Sequence, residues 1–391
     1  MKILLLSNLF PPFVRGGAER IAELQAKLLA RAGHEVVVLS TTPSGAMPET
    51  RMESGLTVRR FRPRNLYHTL HDAGQPFWKR MLWHARDTFG RFPAALVVSA
   101  IKTEQPDLIV THNMKGFGLQ AFRAIQSSGI PHVHVLHDLQ LLVPSGLKIW
   151  GAEHHWQTES FFQGRYMATT RSLIGNPALV VSPSRYLLDE HRAAGFFPDS
   201  QTAVVQNPVS WDPTLVADES GGETKEPVVL CVSQLEPHKG LRTLLEAWPH
   251  VQGARLAVAG DGSLVKEVAA FVGSCASVEV LGRLSPAKVH ARMQHARVVV
   301  VPSLCYENTP NVILESLSVG TPVVASRIGG IPELLEVGDG ELVTPGNAEE
   351  LAQKINVVLT RPNAREEIKT RAERFSADLY RERFLHLLST I

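Results

Sequence analysis

Two carboxylates, Glu307 and Glu315, carry the strongest chemical signal in the sequence. Between them, Thr309 and Pro310 read as a helix start, with Thr309 as N-cap and Pro310 at the first helical position. Asn311 and Glu315 then lie four residues apart on one helical face. The free amides of that first turn would form an anion-binding end with a carboxylate on either side. A ligand with vicinal hydroxyls and a diphosphate suits this set: a carboxylate accepts from two adjacent sugar hydroxyls while the amides hold the phosphates. The plainer reading is a solvated acidic helix face.

Weaker signals follow other apolar runs. In Ser233-Gln234-Leu235-Glu236-Pro237-His238-Lys239-Gly240, Lys239 precedes a helix start and is either a point charge for phosphate or an ordinary surface lysine. Gly260-Asp261-Gly262 and Gly282-Arg283 could line a nucleotide pocket or be simple turns. Arg15-Gly16-Gly17-Ala18 is a tight turn whose amides, at a helix N-terminus, could approach an anion. The run His132-Val133-His134 puts two imidazoles on one strand face, a spacing that metals use, but no later His/Asp set answers it. Those two read as packed against the sheet, and His137-Asp138 as a substrate-facing pair at a strand end. No D-x-D motif with matching ligands occurs, so no metal is expected.

The elements that must position these residues alternate in type. Lys2–Ser7 is a short apolar run, helical spacing follows at Ile21, Leu24, Leu28 and Leu29, and Glu35–Leu39 is β-branched enough for a strand buried on both faces. Strands are expected again at 107–111, 132–136, 178–182 and 202–206, then at 228–232, 255–259, 278–281, 298–301, 322–325 and 341–343, with helical patterns between them. This is an α/β chain of two doubly wound halves. The polar, glycine-bearing run 218–227 reads as a linker, and the candidate residues fall at carboxyl ends of strands, where open sheets bind ligands, so a site in a cleft between the halves is expected.

At 391 residues, with 44% hydrophobic and 20% charged, the chain is neither disordered nor a disulfide scaffold. Its three cysteines, Cys231, Cys275 and Cys305, lack a C-x-x-C pair and fit a reducing cytoplasm. The opening apolar run stops at Ser7, short of a signal peptide, and no stretch is long enough to span a membrane. Residues 1–200 hold 22 Lys+Arg against 15 Asp+Glu, although the whole chain is only +2. Cations and aromatics interleave at Arg59-Arg60-Phe61-Arg62-Pro63-Arg64 and at Phe77-Trp78-Lys79-Arg80-Met81-Leu82-Trp83. They suggest docking at an anionic membrane surface, the alternative being a solvated basic face with a buried aromatic helix.

Taken together, these segments resemble retaining glycosyltransferases of the GT-B fold, in family 4, over nearly the whole chain. The most specific match is Pro302-Ser303-Leu304-Cys305-Tyr306-Glu307 through Glu315-Ser316, which resembles the family's E-x7-E signature, followed by Gly320-Thr321-Pro322-Val323-Val324-Ala325-Ser326. Gly16-Gly17-Ala18-Glu19, Leu136-His137-Asp138 and Val205-Gln206-Asn207-Pro208 fall in the right order. The resemblance implies two Rossmann-like domains facing a central cleft: 1–207 for the acceptor, joined by a C-terminal helix at 372–391, and 208–371 for the donor. It implies that Glu315 binds ribose, Glu307 the donor sugar, and the backbone of Asn308, Thr309, Pro310, Asn311 and Val312 the diphosphate and sugar. Gly16 and Gly17 would face phosphates, and His137 the donor sugar near its reacting carbon. Lys239 would neutralise the leaving diphosphate, with Gln234, Gly260 and Arg283 lining the donor pocket and Asn207 on its floor.

Two positions depart from the family pattern. Gln234 stands where an arginine is common, and Asn308-Thr309-Pro310-Asn311 replaces a Gly-Phe-Gly-like turn. The implied activity is metal-independent, cofactor-free transfer of a sugar from a nucleotide-diphosphate donor to a carbohydrate or lipid-linked acceptor, in cell-surface polysaccharide or glycolipid synthesis. The expected location is the cytoplasm, peripheral at the inner face of the membrane, with no nucleic-acid partner. A sugar-nucleotide hydrolase or epimerase, or a non-catalytic binder of the same ligand, are the alternatives.

Overall fold

The computed structural model describes residues 1–43, 50–53, 55–72, 74–153, 161–209 and 226–391. Two compact units are present: Met1–Leu147 with His154–Gln206 and Tyr380–Ile391, and Lys148–Glu153 with Asn207–Leu379. The division at Gln206/Asn207 falls one residue from the boundary expected at 207/208. The expected linker lies almost wholly outside the described residues.

In the first unit, strands β1 (Lys2–Ser7), β2 (Glu35–Thr41), β3 (Thr50–Glu53), β4 (Leu56–Phe61), β5 (Leu108–Thr111), β6 (His132–Val135), β7 (Leu179–Ser182) and β8 (Gln201–Val204) form one sheet. Their order is β3-β4-β2-β1-β5-β6-β7-β8, parallel except for the β3/β4 pair. That edge pair was not anticipated: the alternation in Leu56–Phe61 is diluted by Arg59 and Arg60, which read as a basic run. In the second unit, β9 (Val228–Val232), β10 (Arg255–Ala259), β11 (Val278–Gly282), β12 (Val298–Val301), β13 (Val323–Ser326) and β14 (Gly340–Val343) make a fully parallel sheet in the order β11-β10-β9-β12-β13-β14.

The apolar strands are buried on both faces because successive side chains point to opposite sides. Leu4 and Leu6 enter one core of the first unit with Val37, Ile109 and Val180, while Ile3 and Leu5 enter the other with Val36, Val38 and Val110. The second sheet divides likewise, with Val298 and Val300 on one side and Val299 and Val301 on the other.

Two helices of the first unit matter below: α1 (Gly17–Arg31), whose start lies beyond the carboxyl end of β1, and α2 (Phe77–Phe89). The continuous helix expected from Ala372 is interrupted. A helix ends at Ala372, a 3-10 turn spans Glu373–Phe375, and Ser376 turns extended before the last helix, Ala377–Leu388. The Ser376 hydroxyl accepts from the Leu379 amide at 3.3 Å, a serine cap that periodicity alone did not separate from the helix before it. In the last helix Tyr380, Phe384 and Leu388, one turn apart, are buried in the first unit's core. Each such side chain contributes about 1.5–3 kcal/mol.

Candidate active site

In the second unit, chemistry gathers where β9 and β12 end. After β9 the chain runs through Ser233–Glu236 into a 3-10 turn, Pro237–Lys239, closed by Gly240 at φ +72°. A side chain at Gly240 would put its Cβ 1.7 Å from the carbonyl oxygen of Pro302, so only glycine lets this turn lie against the end of β12. The turn is then fastened: the His238 carbonyl accepts from the amides of Leu304 at 2.9 Å and Cys305 at 3.0 Å. The result is a direct contact, Lys239 Nζ to Glu307 Oε1 at 2.5 Å, with side chains 22% and 19% exposed. Ser303 Oγ donates to the same oxygen at 3.0 Å and Cys305 Sγ lies 3.5 Å away.

Burial by itself would push the Glu307 carboxyl up, but the Lys239 charge, its hydrogen bond and those of Ser303 and Cys305 hold it below its ordinary value. Burial likewise opposes the Lys239 charge, and Glu307 more than restores it, leaving the lysine above its ordinary value. Both groups are therefore charged at neutral pH. Gly329, at φ +59°, supports the pair from behind: a Cβ there would come within 2.1 Å of the Glu307 carbonyl oxygen, which accepts from the Gly330 amide at 2.8 Å.

Beyond Glu307, Asn311–Ser318 is helical, as the sequence implied, but the cap differs. Pro310, extended at ψ 115°, occupies the cap position and no side chain caps the helix. Thr309 is one residue too far back to do so. The turn opens with the amides of Asn311 and Val312, while Ile313 N–H is used by the Pro310 carbonyl at 3.0 Å. Glu315 is partly exposed, four residues from Asn311. Val312 is half-buried, with its side chain packed against the core.

The neighbouring strand ends are laced to this loop. Ser233 N–H donates to the Ala259 carbonyl at 3.1 Å, Leu235 N–H to the Asp261 carbonyl at 2.9 Å, and Gly260 N–H to the Gly282 carbonyl at 2.8 Å. Gln234, exposed between two of these ties, Gly260 and the exposed Arg283 thus sit along one edge of the sheet, beside Lys239 in sheet order. Asn207 is buried where the second unit begins, near the point where Val209 N–H meets the Phe375 carbonyl at 2.9 Å. Of the segment Lys148–Glu153, which sequence reading did not assign to this unit, Ile149 bridges Cys305, Lys148 O accepts from Tyr306 N–H at 2.9 Å, and Glu153 accepts from the Tyr306 hydroxyl at 2.8 Å.

In the first unit the candidates also lie at strand ends, after β1 and β6. Gly16 N–H, expected to meet an anion, already has one: it donates to Glu19 Oε2 at 2.8 Å. Gly17 is the first residue of α1. His132 and His134 each bond the Thr111 hydroxyl at 2.8 Å, which accounts for the H-x-H pair by packing. Among the described residues no three His, Cys, Asp or Glu side chains are grouped to hold a metal ion.

His137 joins a buried chain that sequence spacing could not reveal. Gln25 Nε2 donates to the Tyr380 hydroxyl at 2.9 Å, so Gln25 Oε1 accepts from His112 Nε2–H at 2.7 Å. Burial holds His112 neutral, which leaves its Nδ1 as the acceptor for His137 Nε2–H at 2.8 Å. Burial also pushes His137 down to about 4. Beside it Asp138 is raised, first by burial and in small part by Glu19, against the Gln140 amide and Lys115. Asp87 is pushed up to about 7 by burial although both its oxygens accept from Gly116 N–H, at 3.0 and 2.9 Å.

Residues 15–212 match the sequence family described as Glycosyltransferase Family 4, and residues 216–375 match Glycosyl transferases group 1. The chain belongs to glycosyltransferase family 4. A putative teichuronic acid biosynthesis glycosyltransferase, TuaC of Bacillus subtilis, is 24% identical to this glycosyltransferase over 91% of its chain and 88% of the relative. Among solved structures, sucrose-phosphate synthase of Thermosynechococcus elongatus superposes with a TM-score of 0.80 at 19% identity, covering 100% of this chain and 98% of that one. Anabaena HepE in complex with UDP-glucose superposes at 0.70 with 22% identity over 100% of both chains. These likenesses establish the GT-B fold, with two Rossmann-like sheets, for this glycosyltransferase.

Proposed function

We propose that the protein transfers a sugar, with retention of anomeric configuration and without a divalent metal, from a nucleoside-diphosphate donor to an acceptor hydroxyl. The observation that carries this is the Lys239–Glu307 contact at 2.5 Å, set one short loop before the amides that open helix Asn311–Ser318. In this reading Glu307 accepts from hydroxyls of the donor sugar and Glu315 from the ribose. The amides of Asn311 and Val312, with the loop Asn308–Pro310, hold the diphosphate while Lys239 neutralises it. Gln234, Gly260 and Arg283 border the nucleotide, Asn207 lies beneath it, and Gly17 and His137 are the first unit's candidates for the phosphates and the donor sugar. UDP-glucose bound in HepE supports a nucleotide-sugar donor, and TuaC supports work on a cell-surface polysaccharide.

The step balances within the donor and acceptor. The bond from the anomeric carbon to the phosphate oxygen breaks, with its electron pair going to that oxygen. The acceptor oxygen bonds the same face of the carbon, and its proton passes to the departing phosphate oxygen. Gln234 carries no charge, so the growing negative charge falls on Lys239 and the helix amides.

The test is a panel of nucleotide sugars by thermal shift, followed by proton NMR of the product formed from the best donor, with and without excess chelator. A retained anomeric centre and unchanged rate in chelator are expected. Inversion, or loss of activity restored by Mg²⁺ or Mn²⁺, would overturn the corresponding part. Free sugar released without acceptor would mark a hydrolase, and tight donor binding with no turnover a binding protein.

A further inference from the structure

Helix α2 is turned inside out relative to an ordinary surface helix. Its buried side carries Trp83, 2% exposed, and Asp87. Trp83 donates from Nε1 to the Tyr67 carbonyl at 2.8 Å and stacks on the Tyr67 ring at 5.7 Å, and Asp87 grips the Gly116 amide. Its outer side carries Phe77, Trp78, Met81, Leu82 and Phe89, which are 58, 63, 55, 52 and 63% exposed. These positions recur at the spacing of one helical face, so the apolar side chains form a stripe rather than a scatter. The stripe borders a hollow of about 410 Å³ lined by Leu66, Leu82, Ala85, Arg86, Phe89 and Gly90.

Charge around the stripe is mostly positive, an exception being Asp72, 20% exposed, which pairs with Arg80 at 3.5 Å. Of the charged side chains of α2, Arg80 and Arg86 are exposed and Lys79 is half-buried, 5.6 Å over the Tyr67 ring, while its one carboxylate, Asp87, is buried. Arg62, Arg64 and Arg91 are exposed alongside. Arg64 lies 4.4 Å over the Phe92 ring, at the start of the next helix, and Asn65 Nδ2 donates to the Trp83 carbonyl at 3.1 Å, which fastens this basic segment to α2. The structure also corrects the sequence expectation. Trp83 faces inward, and Arg59 and Arg60 lie in β4, where Arg59 pairs with Glu104 and Arg60 bonds the Pro11 carbonyl, so neither arginine belongs to this surface.

We propose that α2 docks the first unit on an anionic lipid bilayer, lying in the interface with its apolar stripe among the headgroups and its cations on lipid phosphates. A stripe of aromatic and aliphatic side chains ringed by arginine and lysine is complementary to such a surface. A second copy of the same face would oppose arginine to arginine. Among the described residues no helix is long and apolar enough to cross a bilayer, so the contact is one of lying on the surface. If the transfer reaction proposed above holds, the docking would bring the site to acceptors carried on lipid.

The experiment is flotation of the full chain with phosphatidylcholine vesicles with and without phosphatidylglycerol, at low and high salt. Flotation is expected only with phosphatidylglycerol and is expected to fade as salt rises. Trp78→Ser with Leu82→Ser should weaken binding at least about tenfold, and Arg86→Gln should weaken it selectively at low phosphatidylglycerol. A blue shift in the difference fluorescence between the wild type and Trp78→Phe would place Trp78 in the bilayer. No flotation, equal flotation with either vesicle, or a dimer in sedimentation that Trp78→Ser dissolves would overturn the proposal, the last in favour of self-association. Donor binding measured in parallel separates the two readings: its absence in a protein that still floats would count against the reaction and not against the docking.

Discussion

Replacing Lys239 with methionine removes the ammonium from Glu307 while roughly keeping the volume of the side chain. Breaking a fully buried pair costs about 3–5 kcal/mol and breaking an exposed one about 0–1 kcal/mol. With side chains 22% and 19% exposed, the pair lies between these limits, and about 2 kcal/mol is expected at pH 7. For a domain of this size that lowers the melting temperature of the second unit by about 4–8 °C. The pH dependence makes the test specific. In the wild type, Glu307 lies below its unfolded value, so its contribution is present above about pH 4.5 and lost as pH falls through the folded value. In Lys239→Met, the burial that Lys239 had offset raises Glu307 above the unfolded value, so stability is fullest below that value and declines as pH rises. The deficit of the variant should therefore be small near pH 4 and grow toward pH 7. Adding Glu307→Gln should remove most of the deficit at pH 7, because no unpaired charge is left. The assay is thermal unfolding of both variants across this range. A deficit that is the same at every pH, or one that Glu307→Gln deepens, would refute the argument that Lys239 is there to hold a buried carboxylate charged.

Burial holds His68, His84, His137 and His191 near 4 and His132 near 3, so the first unit should keep its full stability above about pH 6.5 and lose it as acid charges these rings. Unfolding followed by proteolysis should show the first unit opening between pH 6.5 and 4 ahead of the second; simultaneous opening would contradict this. Gln25→Leu leaves the buried His112 Nε2–H without its acceptor and should cost about 1–3 kcal/mol, with nitrogen NMR shifts showing His137 released from a single tautomer. An unchanged His137 spectrum would remove Gln25 from the chain that orients it. Gln234→Arg should raise kcat by about five- to thirtyfold, worth roughly 1–2 kcal/mol of leaving-group stabilisation, if residue 234 faces the diphosphate. Unaltered kcat and donor KM would put the position outside the donor pocket.

The sequence by itself determined most of the elements, though not the β3/β4 edge pair or the break before the last helix, and the order of the candidate residues along them. Strands such as Val228–Val232, Arg255–Ala259 and Val298–Val301 were legible to the residue because a strand buried on both faces must be continuously apolar, a local property of composition. The helix between Glu307 and Glu315 was legible because proline sets its start, although which residue caps it was not: the backbone angle of Pro310 decided that. Tertiary structure decided what depends on distant residues meeting. The contact of Lys239 with Glu307 rests on Gly240 fitting against Pro302, and the Tyr380–Gln25–His112–His137 chain joins four separate segments, two helices and the ends of β5 and β6, with no spacing in common. The same holds for charge and exposure. Gly16 looked ready for an anion until Glu19 was seen to occupy it, and the aromatic run in α2 became a surface only once the fold had turned Trp83 inward and Trp78 outward. Period and composition are written into each segment, whereas which partner satisfies a buried charge, and which face of a helix meets water, is fixed only when the segments pack.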